Sequence, residues 1–118
     1  MNSVIETNYG PALHWTVPGD RQPRPPAVQV VLHKRTYVFP WARFIYAEGA
    51  PDEVVISFAT HEVLITGYGL DYLLADIAAQ CVVSLHEPHR EGRFRPSNEP
   101  EPRAAFSAVV VRQVLEEE

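Results

Sequence analysis

Proline placement constrains this chain more than any other feature. Eleven prolines fall mostly into two clusters, Pro18 to Pro26 (PGDRQPRPP) and Pro88 to Pro102 (PHREGRFRPSNEPEP). Proline lacks a backbone donor and restricts the residue before it, so neither stretch suits a helix or an interior strand. Both read as extended linkers. The chain is thereby divided into an N-terminal extended segment and linker over 1–26, a compact core over 27–86, a Pro/Arg/Glu-rich linker over 87–104, and a C-terminal strand with an acidic end over 105–118.

The core block carries most of the periodicity. Val28 to His33 is rich in β-branched residues and predicts a strand. After the polar turn Lys34-Arg35-Thr36, Tyr37-Val38-Phe39 opens a second strand that Pro40 interrupts and Trp41 to Ala47 resumes. Glu53 to Ala59 alternates Val54, Ile56 and Phe58 with Val55, Ser57 and Ala59. Val63 to Thr66 makes a fourth strand. Leu70, Leu73, Leu74, Ile77, Ala78 and Cys81 then recur at helical spacing, which predicts one amphipathic helix over 70–81. Gly67 and Gly69 bend the chain into it, and Val82 to His86 leaves it as a strand. Two outlying segments, Ala12 to Val17 and Ala105 to Leu115, also read as extended.

These elements define an α+β, mainly β fold: a small bent antiparallel sheet or partly open barrel, ordered β-β-β-β-α-β, with an extra C-terminal strand. Its expected core is Val30, Leu32, Phe39, Ile56, Phe58, Ile65, Leu70, Leu73, Leu74, Ile77 and Val83. This order resembles that of the small SH3-like and Sm-like barrels and of the LytTR-type DNA-binding domain. The likeness is architectural, without a shared motif, and carries no function.

Composition narrows the classes. Hydrophobic residues make up 46% and charged residues 21% of 118, the balance of a folding globular chain. No apolar run approaches the roughly 18 residues of a membrane helix, and the first residues lack signal-peptide character. A cytoplasmic protein is expected. One cysteine excludes an intrachain disulfide framework. The net charge is −5, and the 27–86 block alone carries −3, which disfavours nucleic acid as a partner.

Candidate chemistry is sparse. His86-Glu87-Pro88-His89 is the nearest approach to a metal site, but the zincin motif needs helical i, i+4 spacing, and Pro88 forbids it. Cys81 lies on the apolar face of the helix and reads as a small buried hydrophobe. Asp71 and Asp76 read as a solvated helix face. Gly67-Tyr68-Gly69 lacks the third glycine of a dinucleotide loop, since Tyr72 stands in its place. Tyr37, Trp41 and Arg43, with Phe39, Phe44 and Tyr46 around them, could stack on single-stranded nucleic acid, as could Arg93-Phe94-Arg95. The reading that follows is a non-enzymatic interaction or self-association module, a homodimer whose other protein partner the sequence does not name, with no cofactor. A nucleic-acid-binding regulator using the aromatic second strand, and a metal-dependent enzyme using His86 and His89, are the alternatives. The dimer is expected because the linker before the valine-rich C-terminal strand is long enough to reach a second subunit.

Overall fold

The computed structural model describes residues 14–19, 22–88 and 103–114. His89, the Arg93-Phe94-Arg95 triplet, the interior of the second linker and the last four residues lie outside them. The elements in order are β1 (Trp15–Thr16), β2 (Ala27–Val31), β3 (Thr36–Pro40), a 3-10 turn (Trp41–Arg43), β4 (Phe44–Ala50), β5 (Glu53–Phe58), β6 (His61–Tyr68), α1 (Asp71–Ala78), β7 (Ser84–His86) and β8 (Ala105–Gln113). They form two four-stranded sheets, ordered β1-β7-β2-β3 and β4-β5-β6-β8. Among the described residues the fold is mainly β with one helix, and neither sheet closes into a barrel.

The expected second strand is two strands in two sheets. Pro40, extended at φ −65° and ψ 138°, ends β3, and the Phe44 amide closes the turn by donating to the Trp41 carbonyl. Trp41 drives this corner. Its backbone N–H donates to Pro26, its indole Nε1–H donates to the Val82 carbonyl at 3.3 Å, and its ring is buried. Burial of one large ring at the seam therefore breaks a run that alternation alone would continue.

One further departure concerns direction. β2 pairs antiparallel with β3 but parallel with β7, which reaches the first sheet after the helix. In that sheet Trp15, Leu85, Val30 and Tyr37 share one row on the inner face. In the other, Val54, Ile65 and Val109 form an inner row beside Ile56, Val63 and Val111. Both inner faces contribute to one hydrophobic cluster with Leu70, Leu73, Ile77, Val82, Ala104 and Phe106. Leu32 and Leu74 pack at its margin, and Val83 is half-buried rather than central.

The helix is shorter than its apolar spacing suggests. It stops at Ala78 because Gln80 takes a left-handed conformation, φ 54°. The Gln80 amide then donates to the Ile77 carbonyl and the Cys81 amide to the Asp76 carbonyl, the paired bonds of a Schellman end. Gly69, at φ +67°, makes the turn into the helix. Gly67 does something else. It lies inside β6 at a bulge against β8, where a Cβ would fall 2.0 Å from the Ala105 carbonyl oxygen. Among the described residues no helix is long and apolar enough to cross a membrane.

β8 pairs along its whole length with β6 of its own chain, from Tyr68·Ala105 to His61·Gln113. The strand is thus an integral part of the second sheet, and exchange between subunits is not needed to satisfy its inner side.

Candidate interaction site

A concavity lies along the outer edge of β3. Alternation places Tyr37 and Phe39 on the face turned toward the second sheet, where their rings stack at 5.6 Å and Phe39 stacks on Phe58 at 4.6 Å. His61, from the start of β6, leans over both rings at 5.3 and 5.7 Å. Its Nδ1 is held 2.7 Å from the Thr60 hydroxyl. These side chains, with Val38, Pro40, Arg43 and the β5–β6 turn, enclose a groove of about 320 Å³.

Charge is segregated around it. Lys34, Arg35 and Arg43 are the only cations in 27–86, and they bracket β3 at its two ends. None takes part in an ion pair among the described residues. The Arg35 guanidinium sits 6.0 Å from the Tyr37 ring centroid. By contrast the acidic Glu48, Asp52 and Glu53 belong to the β4–β5 hairpin, and Glu62 is engaged by Arg112 at 2.8 Å.

Among the described residues the backbone of β3 has no strand partner on this side. The Leu32 and Trp41 amides donate to Arg35 and Pro26 at 2.9 Å, which fixes the phase of the β2–β3 ladder. Tyr37 and Phe39 then bond inward to β2, while the N–H and C=O of Thr36 and Val38 point away from the sheet. Pro40 has no N–H to offer. Val38 is 60% exposed.

A second edge without a strand partner among the described residues is β8. The Val114 amide donates to Thr60 at 2.9 Å, so Arg112, Val110 and Ala108 bond to β6 and the backbone groups of Val109, Val111 and Gln113 face outward. Nine residues long, β8 carries neither proline nor lysine, the usual protections of an edge. On the outer sheet face Val55, Leu64 and Val110 align in one row that ends at this edge. Val110 is 50% exposed.

The remaining candidates fall in different places. Tyr37 and Arg43 line the groove, whereas Trp41 is core and cannot stack on a base. His86 bonds through Nε2 to the Ser84 hydroxyl at 2.8 Å, and Ser84 meets the Thr16 hydroxyl at 2.7 Å. Ser84 and His86 could be taken for a nucleophile and base, yet neither lines the groove and the Ser84 hydroxyl is shared with Thr16. Desolvation lowers the His86 pKa from its usual value. His33 and Glu87 approach to 3.6 Å, and the Glu87 carboxylate also accepts the His33 amide. No group of three potential metal ligands occurs among the described residues.

Two residues expected on the helix need correction. Asp76 is not a solvated carboxylate: it accepts the Trp15 indole N–H at 2.8 Å. Cys81 is half-buried, its thiol directed at the Asp76 carbonyl at 3.5 Å. Burial and then the Asp76 charge push its pKa up, against smaller opposing effects of its backbone hydrogen bond and Arg24.

Val38, Phe58 and His61 escaped the sequence reading as site residues. The bracketing of one aromatic strand by every cation of the core was a visible signal for that strand. Phe58 and His61 join it only through the tertiary fold. Scans against known protein families, curated proteins and solved structures found no match to this chain.

Proposed function

We propose that the chain is a non-enzymatic self-association module, forming a symmetric dimer by pairing β8 with its copy in a second subunit. The observation that carries this reading is the undefended β8 edge, with the outward backbone groups of Val109, Val111 and Gln113 in one line. A two-fold axis through Val110 satisfies that line. Val109 then bonds with Val111 of the partner subunit, and Val110 faces Val110 of the partner subunit as a non-bonded pair. The outer row Val55–Leu64–Val110 continues across the axis into the second subunit, removing exposed valine from water. Arg112 keeps its bond to Glu62 and meets the small Ala108 across the interface. The free Cys81 is in keeping with a reducing cytoplasmic setting.

Light scattering of the full chain at micromolar concentration should return twice the chain mass. Val111→Pro should return one chain mass with an unchanged circular dichroism spectrum, because the lost N–H faces away from β6. A wild-type monomer under these conditions contradicts the reading.

A further inference from the structure

We propose that the β3 groove binds an extended acidic segment of another protein by strand addition. This site belongs to the first sheet and is independent of self-association through β8. Three features select that occupant. The outward N–H and C=O of Thr36 and Val38 supply the hydrogen bonds of a short added strand, and Pro40 limits its length. The groove of about 320 Å³, walled by Tyr37, Phe39, Phe58 and His61, has the size for one large apolar side chain of that strand. At either end Arg35 and Arg43 have no carboxylate partner among the described residues. An acidic segment supplies those partners, whereas a basic one meets uncompensated repulsion. Nucleic acid is the poorer fit, because among the described residues the cations bracket a single short strand and do not continue as a track along a phosphate backbone.

The added strand lies about 4.8 Å from β3, so alternate side chains enter the groove beside Tyr37 and Phe39 while the flanking residues reach the cations. Association gains mainly from backbone pairing and one buried anchor, with the carboxylates setting orientation and salt dependence.

The probe is a fluorescein-labelled short peptide with a central phenylalanine between valines and glutamates at both ends. Its anisotropy is titrated with the full chain, beside the same peptide carrying lysines in place of the glutamates and beside a short labelled oligothymidylate. Saturable binding of the acidic peptide is expected, weakened by salt and weakened roughly tenfold by Arg43→Glu. Hydrogen exchange should slow at the Thr36 and Val38 amides on binding, an effect that loose electrostatic attraction would not produce. Val111→Pro should bind the peptide as wild type does, which separates this site from the β8 edge. No saturation, equal binding of the lysine peptide, or oligothymidylate binding lost in Arg43→Glu would each overturn the proposal.

Discussion

Single residues set the ends and corners of this fold, and Gln80 shows how. A side chain in the left-handed region crowds its own carbonyl, a cost that glycine avoids. Gln80→Gly should therefore stabilise the chain by about 0.5–1 kcal/mol, after the greater freedom of glycine in the unfolded state is offset. Urea unfolding checks it. A loss of stability would mean that the glutamine side chain makes a contact more favourable than the strain it carries. The same residue explains why the helix end was illegible: a Schellman end announces itself in sequence by glycine, and here it has none. Leu73 and Ile77, by contrast, were read correctly from spacing and are fully buried. Truncating either to alanine should cost about 2–5 kcal/mol, and truncating the half-buried Leu74 distinctly less. Cys81 belongs to this scale as well. Its raised pKa keeps the thiol protonated at neutral pH, so iodoacetamide should label it slowly although it is half-exposed. Asp76→Asn removes the nearby negative charge while leaving an acceptor for Trp15, and should speed the labelling. Equal rates in both proteins would show that access, and not ionisation, limits the thiol.

Whole elements depend on pairings that local patterns report unevenly. β5 was legible because its alternate residues Val54, Ile56 and Phe58 are large and apolar, and all three are buried. β3 and β4 were not separable, because a proline inside an aromatic run marks a bulge as readily as a change of sheet. The parallel contact of β7 with β2 is a property of the connection between them, which no residue in either strand encodes. β7 also holds one group whose ionisation is coupled to folding, His86. Desolvation holds the His86 pKa below its ordinary value of about 6.5, so protonation favours the unfolded chain. The corresponding stability is present in full above that value and is lost as the pH falls through it toward the lower folded value. Comparing urea midpoints at pH about 7.5 and about 5.5 should show a smaller acid loss in His86→Gln than in wild type. An identical loss in both would assign the effect to other groups.

At the scale of the molecule, two sheets share one core, and among the edge strands of the described residues are β3 with its cations and aromatic groove and β8 with its valines. The groove was half legible. Tyr37 and Arg43 were singled out by type and proximity, but Phe58 and His61 arrive from a different sheet, and Trp41 leaves for the core because its indole finds a buried acceptor in Val82. The C-terminal strand was legible as a strand. Its partner was not, since a long linker permits a return to the same sheet and a crossing to another subunit alike. With β8 seated on β6, the question of association moves from strand exchange to the strand's outer side. Val110→Cys in a Cys81→Ala background addresses that side most directly. Non-bonded antiparallel pairs bring Cα atoms to about 4.5 Å, within reach of a disulfide. Mild oxidation should link Val110→Cys subunits into a dimer faster than a control cysteine at Tyr72, which is exposed on the helix. Cross-linking no faster than the control, or none at all, would contradict the β8–β8 pairing.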